Sequence, residues 1–229
     1  MARPKIATGS VYHIYNRGVE KRNIFMDDSN YFRFIHDLFE FNNEDPAINL
    51  GRMIEVRLHS FLPEKPRRRL LVDILAFCLM PNHFHLLLRQ RVENGISKFM
   101  QKLGTGYTNY FNIKFKRDGV LLQGKYKAKL VEEEAHFIYL PHYIHLNPLD
   151  LADIQWRKGK IKNVEKALKF LISYRWSSYL DYIGIRNLPS LTQRRFLLDL
   201  FDEQGGYKES LIRWIKMIKL DDLKKTLID

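Results

Sequence analysis

The chain has 229 residues, 45% of them hydrophobic and 13% aromatic, which is enough for one domain with a packed core and a small appendage. Its 38 Lys and Arg against 26 Asp and Glu give a net charge of +12 and a pI of about 9.7, which favours a polyanionic partner, nucleic acid or an anionic membrane surface. The one cysteine, Cys78, excludes a disulfide framework and a cysteine-rich zinc site and suits a reducing cytoplasm, and no run reaches the roughly 18 apolar residues of a membrane span.

Met1-Ala2-Arg3-Pro4-Lys5 has no apolar core of a signal peptide. Val11-Tyr12-His13-Ile14-Tyr15 alternates and is β-rich, so it predicts a first strand, ended by Asn16-Arg17-Gly18. Asp27 or Asp28 can cap a helix running to about Asn42, with Tyr31, Phe32, Phe34, Ile35, Leu38 and Phe39 on or near its core face. Residues 52–61 read as a strand, and Pro63–Arg69 as a basic loop. Leu70–Met80 and His83–Arg89 read as two strands of a hairpin turning at Pro81-Asn82. A long helix is expected from Gly95 to Lys114, where Ile96, Phe99, Met100, Leu103, Tyr107, Tyr110 and Phe111 recur at three- and four-residue spacing. Val120–Val131 reads as a strand, and Glu132-Glu133-Glu134 opens a helix that ends at Asn147-Pro148. From about Leu149 the chain reads as helical and basic. Helices alternating with strand pairs predict an α+β domain, one layer of helices on an antiparallel or mixed sheet.

Three groups of residues point to chemistry. His83 and His85 flank Phe84 at the start of a strand, so both imidazoles share one face and can hold one metal ion. The competing reading is a pair of half-exposed, hydrogen-bonded histidines beside a turn. Tyr139, Tyr143 and Asn147 are four residues apart and form one helical stripe. An amide oxygen can serve a hard metal, and a tyrosine one turn away can deliver its phenolic oxygen. Spacing alone favours instead a core tyrosine and a capping asparagine. Finally, residues 111–130 contain six Lys or Arg and one acid, with Lys125, Lys127 and Lys129 on one face of the expected strand, interleaved with Tyr126. That pattern suits phosphate contacts with stacking aromatics; a solvated strand face is the alternative. Arg3, Lys5, Arg17, Lys21 and Arg22 form a second basic cluster, and Lys116 and Arg117 belong to the first.

Met80-Pro81-Asn82-His83-Phe84-His85-Leu86-Leu87, Gly119–Lys127, Tyr143-Ile144-His145-Leu146-Asn147-Pro148 and Tyr174-Arg175-Trp176-Ser177-Ser178-Tyr179 stand in an order that resembles one family. The chain resembles the single-tyrosine transposases of the histidine–hydrophobic–histidine class, most of all the REP-associated tyrosine transposases. The resemblance runs over about residues 8–183 and includes Tyr12–Gly18. It implies a ferredoxin-like or RRM-like antiparallel sheet with helices packed on it. It implies His83, His85 and Asn147 as ligands of a divalent metal, Mg²⁺ or Mn²⁺, and Tyr143 as nucleophile. The implied activity is metal-dependent cleavage and rejoining of single-stranded DNA beside hairpins through a 5′-phosphotyrosine. A non-catalytic hairpin-binding module on the same fold and a water-using nuclease are the alternatives.

Residues 1–183 are expected to form the catalytic domain and 184–229 a helical C-terminal extension. A cytoplasmic protein with no membrane partner is expected, with monomer and homodimer both open. Two departures from the family pattern stand out. Pro141, two residues before Tyr143, removes a helix hydrogen bond and is expected to kink or restart the helix. The basic segment Gln155–Phe170 is longer than the family pattern leads one to expect.

Overall fold

The computed structural model describes residues 6–45, 68–159, 161–203 and 205–217. The strand expected over 52–61, most of the basic loop before Arg69, and Arg3 and Lys5 lie outside the described residues. Among the described residues the strands and α-helices begin β1 (Val11–Arg17), α1 (Asp28–Glu40), β2 (Val72–Met80), β3 (His83–Gln90), α2 (Gly95–Lys114) and β4 (Lys127–Val131). The strands pair antiparallel in the order β2-β3-β1-β4, the ferredoxin-like arrangement.

The alternation of each strand sorts two cores onto the two faces of the sheet. On the first face, Tyr12, Ile14, Phe84, Leu86, Phe77 and Leu79 meet Phe34 and Leu38 of α1 and Phe99, Leu103 and Tyr107 of α2. Asp27 caps α1 by accepting a hydrogen bond from Asn30 N. A bulge between Ile74 and Ala76 shifts the phase of β2, so that Leu75, Ala76 and Cys78 face the other way.

On the second face lies α3 (Glu134–Leu146), with Leu140, Tyr143 and Ile144 against Leu87 and Cys78. Short 3₁₀ segments follow at Asn147–Ala152 and Trp156–Lys158, then α4 (Val164–Ser173), α5 (Tyr179–Tyr182), α6 (Arg195–Asp202) and α7 (Tyr207–Met217). Leu197, Phe201, Tyr207, Leu211 and Ile215 of α6 and α7 share the core of the tyrosine helix. The contact is also polar: His142 Nε2 bonds Ser210 Oγ at 3.0 Å, and His145 bridges Tyr207 Oη and Ser178 Oγ. Burial pushes both imidazoles down, His142 to about 3 and His145 well below its ordinary value, so both are neutral.

The outer edge of β2 is sealed by the chain that follows. Leu79 N donates to Trp176 O, Ser178 N to Phe77 O, and Phe77 N to Ser178 Oγ. Tyr174 Oη donates to Leu79 O, Tyr182 Oη to Leu75 O, and Gln193 exchanges both bonds with Ile74. The Tyr174–Tyr179 motif is thus an edge cap.

Two expectations need correction. The strand expected over Val120–Val131 is regular only from Lys127. Leu122 still bridges Gly18, but Gly124 at φ +63° turns the backbone left-handed and breaks the ladder. Pro141 neither ends nor restarts α3, which runs through it as one helix packed on β2 and on α6. Among the described residues no helix is long and apolar enough to cross a membrane.

Candidate active site

The β1–β3 register builds the site. Arg17 stands opposite His83 and Tyr15 opposite His85, so these side chains share the face beneath α3. The His83 and His85 rings meet edge-to-face with centroids 5.0 Å apart. Asn82 Oδ1 accepts from His83 Nδ1 at 2.6 Å, which makes Nε2 the lone-pair atom of that ring. His85 is buried, and its Nδ1 lies 3.0 Å from Nε2 of a third histidine, His13. With His85 as donor in that bond, its own Nε2 carries a lone pair. That atom is buried and makes no hydrogen bond. A buried polar atom without a partner is costly, and such an atom at a cleft is a mark of a ligand position.

Tyr143 and Asn147 approach from above on α3 and the turn after it. The Tyr143 ring stands edge-on to His85 at 5.8 Å and to His13 at 6.1 Å. Both Tyr143 and Asn147 are fully buried. Asn147 Nδ2 donates to Tyr143 O at 2.8 Å, which turns Oδ1 of the amide toward the site. Burial drives the His85 pKa well down, the neighbouring His13, His83 and Arg157 charges push the same way, and the Asn147 amide opposes them. His13 is lowered to about 3 by burial and by Lys129. His13 and His85 are therefore neutral, the form that ligates metal.

Among the described residues no three His, Cys, Asp or Glu side chains surround one point. An ion bound here would take its third protein ligand from the Asn147 amide. The donors fit that role: one imidazole nitrogen from each of His83 and His85, that of His85 buried without a hydrogen-bond partner, and one oriented amide oxygen.

Sequence reasoning missed two residues of this site. His13 lies 72 positions from His85 and meets it only through strand pairing. Arg157 donates from Nη1 to Tyr143 Oη at 3.1 Å and from Nη2 to Asn147 Oδ1 at 2.9 Å. It sits in the long segment that departs from the family pattern.

Residues 35–147, which hold both histidines, Tyr143 and Asn147, match the family model described as IS200-like transposase. Over that stretch the chain resembles the IS200-like transposases. A solved structure of a REP-associated tyrosine transposase bound to a REP hairpin aligns at a TM-score of 0.51 and 11% identity, covering 82% of this chain and 88% of that one. At that identity the likeness speaks for the fold. No curated protein matches the chain.

The basic residues of the chain fall in three places. Lys127 and Lys129 on β4 stand opposite Tyr15 and His13, on the histidine face, where Arg17 also lies with its guanidinium on Gln123 Oε1. Lys21, Arg22, Lys116 and Arg117 cluster beyond the end of β1 and the C-terminus of α2, where Arg22 and Arg117 line one shallow cleft with Phe111 and Phe115. Arg22 pairs with Glu20, and Arg117 is spent on Asn112 Oδ1 and Val120 O. Lys125 leaves the expected stripe: it precedes β4 and lines a cavity of about 350 Å³ with Phe34, Phe84 and Tyr126 on the opposite face. Lys125 lies before the first ladder residue, Lys127, so the alternation of the strand does not extend to it.

Proposed function

We propose that this protein is a transposase that cleaves and rejoins single-stranded DNA beside a hairpin through a 5′-phosphotyrosine, with Tyr143 as nucleophile. The observation that carries the reading is one cluster: the Tyr143 ring edge-on to His85 at 5.8 Å, with Asn147 bonded to it one turn later. The hairpin-bound relative supports a hairpin beside the cleavage site.

His83, His85 and Asn147 would hold a divalent ion, Mg²⁺ or Mn²⁺, which supplies Lewis acidity at the scissile phosphate. Tyr143 Oη attacks phosphorus in line, the bond to the 3′ oxygen breaks, and that oxygen leaves as a 3′-hydroxyl. The protein keeps the 5′ end as a phosphotyrosine. Attack by a 3′-hydroxyl reverses the step, because the covalent link conserves the phosphodiester energy. Lys127, Lys129 and Arg17 frame the same face and contact flanking phosphates. His13 orients His85 through their shared hydrogen bond.

The test is covalent capture of a labelled hairpin oligonucleotide with Mn²⁺. The wild type leaves label on the denatured protein, and Tyr143→Phe abolishes it while hairpin binding persists. Adduct formation by Tyr143→Phe would move the nucleophile to Tyr139. Cleavage with no retained label would make the protein a water-using nuclease, and binding without cleavage a recognition module.

A further inference from the structure

Arg157 is built into the site more firmly than an exposed surface arginine. Its Nε and Nη2 both meet Asp150 Oδ2 at 2.9 Å, and its guanidinium lies 4.6 Å over the Trp156 ring. Asp150 is itself fixed by Trp156 Nε1, which donates to Oδ1 at 2.7 Å, and Trp156 is fully buried. The remaining nitrogen, Nη1, points at Tyr143 Oη. Tyr143 and Asp150 raise the Arg157 pKa against the cost of its burial, so the cation is permanent.

This placement has a geometric consequence. A phosphorus poised for in-line attack stands about 3–3.5 Å from the attacking oxygen. A guanidinium nitrogen 3.1 Å from that oxygen is therefore within hydrogen-bonding reach of the non-bridging oxygens of the same phosphate. Asn147 Oδ1 meanwhile accepts from Nη2. A metal ion on that oxygen would face the guanidinium at close range, cation against cation, so the two compete for Asn147.

We propose that Arg157 is a catalytic residue that clamps the scissile phosphate, and that in the DNA-free protein it rests on Asn147 in competition with the metal. With Asn147 serving as a ligand, Nη2 of Arg157 would be free to reach the phosphate, while Asp150 and Trp156 keep the guanidinium in place. This role rests on the transesterase reading of Tyr143, and no nucleophile or ligand is reassigned by it.

The experiment compares full-length wild type, Arg157→Gln and Arg157→Lys. Mn²⁺ is titrated into the DNA-free proteins and followed by electron paramagnetic resonance. Adduct formation on the labelled hairpin oligonucleotide is timed at saturating Mn²⁺. Arg157→Gln is expected to bind Mn²⁺ up to about tenfold tighter, since a charged hydrogen bond to the ligand is gone. It is expected to form adduct at least about 100-fold more slowly, the usual loss for one preorganised donor at a reacting centre. Arg157→Lys keeps the charge but not the fork, falls between the two in both measurements, and carries the same contrast should Arg157→Gln fail to fold. The opposite directions are decisive. Weaker Mn²⁺ binding together with slower cleavage would reduce Arg157 to a staple of the fold and overturn the proposal. So would cleavage at the wild-type rate, or no Mn²⁺ binding by any of the proteins. Absence of adduct in the wild type would instead overturn the transesterase reading, and the Mn²⁺ titration would still decide the competition for Asn147.

Discussion

His142 offers a quantitative test of how the tyrosine helix is held. The imidazole is fully buried between α3 and α7, bonds Ser210 Oγ, and has its pKa lowered from 6.5 to about 3. The fold holds the neutral ring, so unfolding takes up a proton at acidic pH. The stability this confers is complete above pH 6.5 and is lost as pH falls toward about 3. At about pH 5 the unfolded ring is almost wholly charged and the folded one is not, which amounts to about 2 kcal/mol lost relative to neutral pH. His142→Gln can keep a hydrogen bond to Ser210 but does not titrate. Urea unfolding followed by the fluorescence of Trp156, Trp176 and Trp214 gives the free energy of each protein across the pH range. Between about pH 7.5 and 5 the wild type should lose about 2 kcal/mol more than His142→Gln. Parallel pH profiles for the two proteins would refute the reasoning, because they would mean that His142 titrates alike in both states.

Two further outcomes follow from the site. His13→Ala removes the partner of His85 Nδ1, and Mn²⁺ affinity measured by titration should fall about 10–100-fold, the usual effect of losing a group that orients a metal ligand. Lys127→Ala with Lys129→Ala should weaken binding to single-stranded DNA and flatten the plot of log affinity against log salt by about 1.4, two phosphate contacts' worth; an unchanged slope would remove this face from the DNA path.

Much of this was legible in the sequence, for a physical reason. Gly95–Lys114 repeats its apolar residues at helical spacing, and the helix observed has those same ends. The hairpin turn at Pro81-Asn82 sets His83 and His85 on one face whatever the strand pairs with. What stayed hidden depends on pairing or on single backbone angles. No period of the chain announces that β1 lies beside β3, so His13 carried no signal as a partner of His85. Gly124 looks like any turn glycine, yet its left-handed angle cuts the expected strand, and Lys125 is left outside the ladder, lining a cavity with Phe34 and Phe84. Pro141 was expected to kink or restart α3, but the helix is continuous through it, packed on β2 and on α6. Arg157 was hidden in a segment without a family pattern; its one local sign is Asp150, seven residues earlier, positioned to anchor it.

The sealed edge of β2 also governs how this protein meets copies of itself. A bare strand edge is a template on which another chain can add a strand. Here Trp176, Ser178, Tyr174, Tyr182 and Gln193 have already taken the outward backbone groups of β2. The opposite edge, β4, is five residues long and carries Lys127 and Lys129, whose like charges would face those of an incoming copy. Growth by strand addition is blocked on one side by occupied hydrogen bonds and on the other by repulsion. Both edges of the described sheet are thus guarded against ordered aggregation.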